Sequence, residues 1–302
     1  MAVKQVRVKI NGTWYTATYN SSTGKYEATI TAPEKSSYTL SGHYYPVTVE
    51  ATDQAGNVTT KDASDTTLGA SLQLKVKEKV APVITITAPT ASQLLTNNKP
   101  TITWKVTDAD SGVNSNTIGI TIDSGSKITS GITKTAITGG YQCTYTPATA
   151  LADGPHTIKF DASDNDGNAA TTKSVTFKVD TVPPTLSINS PADGLITNKA
   201  ACTVSGVTND VTSSPVTVTV QLNSGTATSV TVDSSGKFST DLTLTEGTNT
   251  ITIVAKDSAG KTTTITRKVT LDTAAPVIKS ASITPNPVDC GKTYVISIEV
   301  TD

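Results

Sequence analysis

Aspartates recur in two kinds of loop, and their carboxylates are the side chains of this chain that offer the most chemistry. One loop follows a short strand with alternating side chains, and the other is a hairpin with the pattern A-x-D-x-x-G. In a two-sheet β-sandwich these loops lie at the same end of the molecule. Clustered carboxylate oxygens are the ligands that Ca²⁺ prefers. The two loops, together with Asp180 of the linker that arrives near them, therefore predict calcium ligands among seven residues: Asp108, Asp110, Asp164, Asp166, Asp180, Asp210 and Asp257.

Turn geometry offers a second interpretation of the same aspartates. Asp opens a tight turn, and Gly supplies the positive φ that closes it. The hairpins read ATDQAGN from Ala51, ASDNDGN from Ala162 and AKDSAGK from Ala255. The second of them lacks the remaining ligands of a full calcium loop. Calcium binding and simple turn formation both stay open, and no other cofactor is predicted.

Motifs of catalysis are missing from the sequence. The two histidines, His43 and His156, fall in different segments of the chain. His156 occupies the position that Asn249 has in a later repeat, which favours a structural role. The sequence contains no zinc-ligand spacing, phosphate-binding loop or nucleophile motif. We therefore expect a protein that is not an enzyme.

The three cysteines do not form a disulfide framework, because their number is odd and their spacing unpaired. Cys143 and Cys202 lie on alternating strands, where a thiol packs as a small apolar side chain. Cys290 falls in a turn. We expect the first two to be buried and the third to be exposed.

Aromatic residues are concentrated near the start of the chain. Six of the nine tyrosines lie in the first 45 residues, with Trp14 beside them. Exposed aromatic rings stack on sugars or contact proteins, although these rings can equally cover the core of an incomplete domain. On the strand TWYTATY, Trp14 faces opposite to Tyr15 and Tyr19. The candidate surface contacts are Trp14, Tyr15, Tyr19, Tyr38, Tyr44 and Tyr45.

Charge and hydropathy make nucleic acid and membrane insertion unexpected for this chain. The formal net charge is −1 and only 16% of residues are charged, so no basic surface for nucleic acid is expected. No apolar run is long enough to insert into a membrane, and the first residues, MAVKQVRVKING, lead directly into an alternating strand without a leader sequence.

Short alternating strands separated by Gly, Asn, Asp, Ser and Pro predict an all-β protein built of tandem sandwiches. The repeats span residues 1–80, 81–180 and 181–274. Their linkers, KEKVAP, DTVPP and DTAAP, are short and stiffened by proline. We expect the repeats to form an elongated rod.

The two ends of the chain have complementary patterns. Residues 275–302 repeat residues 81–108 without a gap, so they predict the first two strands of a sandwich with none of the rest. Residues 1–80 align with the later repeats only from the third strand onward. We expect the C-terminal strand pair to complete a first repeat of another copy, head-to-tail, in a ring or belt. The predicted oligomerisation residues are Val295, Ile296, Ile298 and Val300.

The hairpin pattern A-x-D-x-x-G-N, the linker D-T-x-x-P and the period of about a hundred residues resemble tandem bacterial immunoglobulin-like domains. With its opening MAVKQVRVKING and its final PNPVD hairpin, the chain is more narrowly similar to immunoglobulin-like proteins of bacteriophage tail modules in Gram-positive gut bacteria. This resemblance implies a structural virion component that contacts other virion proteins and a host surface glycan.

Two alternatives remain. The chain can be a fragment of a secreted or wall-bound bacterial adhesin located at the cell surface, or an accessory module of a glycan-degrading enzyme. A signal peptide or anchor elsewhere in the gene favours the adhesin, and an in-frame catalytic domain favours the enzyme module.

Overall fold

The computed structural model describes residues 2–302 and is all-β, as the alternating pattern predicts. Within that range the only helical segments are three short 3₁₀ turns, Ser37–Thr39, Ser41–His43 and Gly69–Leu72. None of the described helices has the length or apolar character to cross a membrane. The chain divides into two compact units, one ending at Val179 and the other beginning at Asp180.

The first six strands form a single sheet, here called the first sheet, in the order β3-β2-β1-β4-β5 with β6 on β4. They are β1 (Val3–Ile10), β2 (Thr13–Asn20), β3 (Lys25–Glu27), β4 (Tyr45–Asp53), β5 (Val58–Lys61) and β6 (Gln73–Leu74). In this part of the described chain the only buried apolar side chains are Ala17 and Tyr45. The first sheet therefore lacks a closed core of its own.

The next eight strands form two facing sheets, here called the first sandwich, in the orders β10-β13-β14-β8 and β11-β12-β9-β7. They are β7 (Val83–Ala88), β8 (Leu94–Leu95), β9 (Ile102–Thr107), β10 (Gly119–Ile122), β11 (Thr133–Ile137), β12 (Gly140–Tyr145), β13 (Gly154–Asp161) and β14 (Lys173–Val179).

The alternation of β9 shows how the sequence sets this core. Ile102, Trp104 and Val106 point inward and are fully buried, whereas Lys105 between them is exposed. Trp104 packs edge-on against Phe160 of the opposite sheet with ring centroids 5.3 Å apart.

The following eight strands form the second sandwich, with sheets in the orders β15-β17-β20 and β16-β22-β21-β18-β19. They are β15 (Thr185–Ser190), β16 (Leu195–Thr197), β17 (Ala201–Asn209), β18 (Thr217–Leu222), β19 (Thr228–Val230), β20 (Lys237–Thr243), β21 (Gly247–Lys256) and β22 (Thr262–Leu271). A second closed core lies between the two sheets.

The last two strands, β23 (Val277–Thr284) and β24 (Val295–Thr301), pair only with each other in a two-stranded antiparallel sheet, here called the C-terminal hairpin. Every residue of both strands is exposed.

The A-x-D-x-x-G hairpins have the geometry that turn chemistry predicts. Their glycines, Gly56, Gly167 and Gly260, all have φ near +90°. An L side chain rarely adopts that conformation, so glycine closes the turn without strain. The preceding aspartate is thereby held in the turn between two paired strands.

Trp104 offers a test of the core of the first sandwich. Trp104→Ala is expected to lower the free energy of unfolding by about 3–5 kcal/mol, because it leaves a cavity between the sheets. Trp104→Phe is expected to cost less, since it keeps an aromatic ring and removes an indole N–H that finds no acceptor. Urea unfolding followed by circular dichroism measures both, with Trp14→Ala as the partly exposed control. Equal losses from the two alanine variants would contradict this packing.

Candidate cation sites and an open sheet face

Three acids meet at one end of the first sandwich and are here called the first acid cluster: Glu78, Asp108 and Asp164. Glu78 comes from the segment before β7, Asp108 directly follows β9, and Asp164 lies in the hairpin after β13. One carboxylate oxygen from each lies within 4.8 Å of the others, and both aspartates are buried. The structure thus brings together two of the predicted ligands with one that was not predicted.

Backbone and amide groups orient this cluster. Asp108 Oδ1 accepts hydrogen bonds from the N–H groups of Asp110 and Gly112 at 3.0 and 2.7 Å. Asp164 accepts from the N–H of Asn168 at 2.8 Å and from its Nδ2 at 2.7 Å. Glu78 Oε1 accepts from the N–H of Ser111 at 2.5 Å. Each acid is therefore held in place by hydrogen bonds, the two aspartates within their own loops and Glu78 by the loop after β9.

Asp110 and Asp166, which the sequence placed among the ligands, do not belong to this cluster. Asp110 Oδ2 accepts a hydrogen bond from the N–H of Ser36 at 3.0 Å. Asp166 Oδ2 accepts from the N–H of Glu78 at 3.0 Å. These two carboxylates instead bind backbone N–H groups of the segment that precedes the first sandwich and hold that segment against the loops. The position of the segment is set by tertiary contacts, which the sequence pattern does not predict.

Asp180, Asp210 and Asp257 form the second acid cluster at the corresponding end of the second sandwich. All three are buried, with 1%, 7% and 5% of their surface exposed. Their ligand oxygens also lie within 4.8 Å of one another. All three were predicted as ligands, and the structure brings them together.

The hydrogen bonds of the second acid cluster leave one fully buried oxygen without a donor. Asp180 accepts from the N–H of Val182 at 3.2 Å and from the Ser213 hydroxyl. Asp210 Oδ1 accepts from the N–H groups of Thr212 and Ser213. Asp257 Oδ1 accepts from the N–H of Lys261 at 2.8 Å, but its buried Oδ2 finds no donor.

Carboxylates this close together repel one another. Two unit charges 4 Å apart repel by about 4 kcal/mol at an effective dielectric constant of 20. Among residues 2–302, no salt bridge involves the acids of either cluster. The geometry is suited to a hard divalent cation, which carboxylate oxygens prefer.

Glu78, the member of the first acid cluster that was not predicted, had a signal in the sequence. The acid before each repeat and the acid after its second strand are 30 residues apart, at 78 and 108, at 180 and 210, and at 272 and 302. Glu78 was overlooked because its linker, KEKVAP, differs from the DTVPP and DTAAP of the other two.

The predicted aromatic contacts do not form one surface. Trp14 lies on one face of the first sheet, where the Arg7 guanidinium stacks on its ring at 4.3 Å. Tyr15 and Tyr19 lie on the opposite face, and the ring of Tyr19 contacts that of Tyr26 at 5.3 Å. The Trp14 ring is therefore partly covered by cations rather than open to a sugar.

Of the other three tyrosines, Tyr38 and Tyr44 lie between β3 and β4, and Tyr45 is the first residue of β4. Tyr38 stacks on His43 with ring centroids 4.2 Å apart. Tyr44 is half-buried. Tyr45 is buried and its hydroxyl donates to the Lys35 carbonyl at 3.2 Å, so the expectation that it is a surface contact is wrong. Tyr45 is buried where β6 pairs with β4, since Leu74 of β6 is its cross-strand partner.

The C-terminal hairpin has one apolar and one polar face. Cross-strand partners share a face, and the apolar face consists of Ile278, Ala281, Ile283, Ile296, Ile298 and Val300. Val295, predicted as an oligomerisation residue with the other three, pairs with Thr284 and lies on the polar face. The alternation of β24 makes this placement unavoidable once Ile296 faces the apolar side.

The cysteines are placed as expected. Cys143 and Cys202 are buried and Cys290 is exposed. Burial raises the pKa of the Cys143 thiol to about 11, so it stays protonated and unreactive at neutral pH.

His156 is a buried structural residue whose two ring nitrogens both face acceptors. Nδ1 lies 2.8 Å from Asp123 Oδ2, and Nε2 lies 2.7 Å from the Ala152 carbonyl. Burial lowers the pKa of the ring, but the bonds to Ala152 and Asp123 outweigh it, and the net pKa is raised. Both nitrogens donate only in the imidazolium form.

In the second sandwich, Asn223 and Asn249 occupy the positions of Asp123 and His156. The Asn223 amide donates to Asn249 Oδ1 at 3.2 Å, and the Asn249 amide donates to the Thr245 carbonyl at 2.7 Å. The same contact is thus made once with an ionisable pair and once with a neutral pair.

A pH dependence follows for the first sandwich. The pKa of His156 is raised in the folded state, so its protonation stabilises the fold. This stabilisation is fully present below the pKa of histidine in the unfolded chain, about 6.5, and is lost as pH rises through the pKa of His156 in the folded chain. The double variant Asp123→Asn/His156→Asn reproduces the neutral pair and should remove this dependence. Urea midpoints from Trp104 fluorescence between pH 5 and 9, in a Trp14→Phe background, measure it. A midpoint of the parent that rises over this range would contradict the ion pair.

The two protein families that match this chain each cover one of the two sandwiches. Residues 83–181 match the bacterial Ig-like domain family, and residues 184–273 match the family of glucodextranase domain B. No curated protein sequence matches the chain.

Solved structures of similar shape include the fibronectin(III)-like modules of Clostridium thermocellum CbhA, at 17% identity and a TM-score of 0.35. That match covers 63% of this chain and 94% of theirs. Rst D1-D2 matches at 15% identity and a TM-score of 0.41, covering 64% and 100%. Titin domains A168–A170 match at 12% identity and a TM-score of 0.39, covering 87% and 85%. These likenesses are too loose to indicate function. From the family match and the two-sheet architecture, we conclude that the chain contains tandem immunoglobulin-like β-sandwich domains.

Proposed function

We propose that this chain is a non-catalytic structural component of a bacteriophage virion that assembles head-to-tail by strand addition. Immunoglobulin-like repeats suggest a structural or adhesin-type role, and the proposal adds the particle and the mode of assembly. In this proposal the C-terminal hairpin of one copy covers the open face of the first sheet of the next.

The exposure of the apolar face of the hairpin carries the proposal. Ile278, Ile296, Ile298 and Val300 are 53–67% exposed. The residues 194 positions earlier, Ile84, Ile102, Trp104 and Val106, form the core of the first sandwich and are 0–4% exposed. Covering the four hairpin residues would contribute about 1 kcal/mol or more each, since each is already partly covered.

The first sheet offers the matching surface. In the second sandwich β20 pairs with β17, which places Phe238 in the core at 4% exposed. In the first sheet the corresponding strand, β3, pairs only with β2, and Tyr26, at the position of Phe238, is 38% exposed. We propose that β24 of another copy adds to β3 as β17 adds to β20.

The length of the linker favours donation between copies. Only residues 272–276 separate β22 from β23, so the hairpin cannot reach far from the second sandwich. A head-to-tail contact of this kind gives a ring if the rotation closes and a filament if it does not. We propose a ring or belt on the particle.

The virion assignment rests on the resemblance to immunoglobulin-like proteins of phage tail modules. In this context the partners are further copies of the chain, other virion proteins and a host surface glycan. Tyr15 and Tyr19, which are 36% and 56% exposed, are the aromatic residues that we propose for a glycan or protein contact.

One alternative has a specific observation in its favour. The match of residues 184–273 to glucodextranase domain B suggests an accessory module of a glycan-active enzyme. Binding to soluble polysaccharides without any particle would support it. A fragment of a wall-bound bacterial adhesin is the other alternative, and recovery from a cell-wall fraction would support that one.

The assembly can be tested with a matched pair of full-length variants. Ile298→Asp places a charge on the apolar face of the hairpin and should convert the oligomer to a monomer. Ser297→Asp places the same charge on the polar face and should leave the oligomer intact. Light scattering after size-exclusion chromatography measures the mass. A parent chain that is monomeric at all concentrations would rule out strand addition.

The location can be tested on the particle itself. Antibody against the chain, visualised by electron microscopy, should label purified phage at a repeating position on the tail or baseplate. Labelling of the bacterial wall with unlabelled particles would instead support the adhesin.

A further inference from the structure

We propose that the second acid cluster binds a divalent cation, Ca²⁺, through Asp180, Asp210 and Asp257. Each of the three side chains is more than nine-tenths buried. One oxygen of each lies within 4.8 Å of the others. Carboxylate oxygens held at this spacing repel one another unless a positive charge lies among them.

The unpaired oxygen of Asp257 is an independent sign of a ligand. In the hairpins at Asp53 and Asp164 the aspartate Oδ2 accepts from the Nδ2 of the asparagine four residues later, Asn57 or Asn168. At Asp257 that position is Lys261, and Oδ2 is left buried without a donor. A buried carboxylate oxygen seldom stays unpaired, and a cation supplies the missing partner.

The donor set selects the class of cation. The ligands are carboxylates, with the Ser213 hydroxyl beside them on Asp180. No histidine or cysteine takes part in either cluster, whereas zinc sites are built mainly from those residues. Ca²⁺ accepts six to eight oxygens in variable geometry, while Mg²⁺ requires a near-ideal octahedron. Loops of irregular shape with carboxylates from three segments suit Ca²⁺ better.

The first acid cluster has the same plan. Glu78, Asp108 and Asp164 occupy the positions of Asp180, Asp210 and Asp257. Ser111, at the position of Ser213, has a buried hydroxyl without a partner. Asn168 satisfies Asp164 there, and Glu78 is only half-buried. We therefore expect this site to bind the cation more weakly than the second.

A third site would form between copies, and this part rests on the proposed function. Asp272 and Asp302 repeat the 30-residue spacing of the other two pairs. Their missing partner is an aspartate of an A-x-D-x-x-G hairpin, and the first sheet ends β4 with Asp53 in that motif. Strand addition would bring Asp53 of one copy to Asp272 and Asp302 of another.

Titration of the full chain tests the sites within one copy. After treatment with EDTA and dialysis, the full-length Ile298→Asp variant, which should not assemble, is expected to bind CaCl₂ at two sites per chain by calorimetry. CaCl₂ should also raise its melting temperature by several degrees, since only the folded state binds the cation. Asp257→Asn should remove one site. The matched control is Asp233→Asn, an aspartate of an exposed turn in the same sandwich that accepts from the N–H groups of Ser235 and Lys237.

The sign of the thermal shift separates a cation ligand from a turn residue. In EDTA, Asp257→Asn should melt above the parent, because it removes a repelling charge, and in CaCl₂ it should melt below the parent. A turn role alone would lower the melting temperature equally in both conditions. That result, or the lack of any shift of the parent in millimolar CaCl₂, would overturn the proposal.

Size-exclusion chromatography with light scattering tests the site between copies separately. The oligomer should weaken in EDTA, and Asp302→Asn should make its assembly independent of CaCl₂. An oligomer equally strong in EDTA would overturn this third site and leave strand addition intact. A chain that is monomeric in both conditions would overturn strand addition, with the two sites of one copy still measured by calorimetry.

Discussion

A β-sheet with one apolar face is stable in water only when that face is covered, and this requirement governs the whole chain. The first sandwich meets it with two sheets that bury Trp104 and Phe160 between them. The second sandwich meets it in the same way around Phe238. The strands of the first sheet and of the C-terminal hairpin do not cover their own apolar faces, so each of these faces remains exposed.

The ends of the sandwiches are governed by a different requirement, the cost of grouping buried carboxylates. Each aspartate of the clusters has a local role, because it accepts backbone hydrogen bonds in a turn. The turns then fix the oxygens so closely that the negative charges of three segments meet. A residue before the first strand of each sandwich, Glu78 or Asp180, joins the cluster and connects that segment to the loops.

Much of this was predictable, because alternation and turn residues act locally. The burial of Ile102, Trp104 and Val106 follows from the period of β9, and the glycine turns follow from their motif. The meeting of Asp180, Asp210 and Asp257 also followed from the topology of a sandwich. What sequence reasoning missed depends on tertiary placement. Glu78 reaches a cluster while Asp166 binds its backbone instead, and the burial of Tyr45 depends on pairing with β6.

The two sandwiches act as controls for each other, since the same fold is built twice with different side chains at equivalent positions. Asp123 and His156 form an ionisable pair at the positions where Asn223 and Asn249 form a neutral hydrogen bond. Asn168 donates to Asp164 Oδ2, whereas Lys261 at the equivalent position does not donate to Asp257 Oδ2. Because the surrounding hydrogen bonds match in each pair, the difference in chemistry can be assigned to one or two side chains. By this comparison the fold supplies the positions, and the side chain at each position decides whether an ionisable pair or an unpaired carboxylate oxygen forms there.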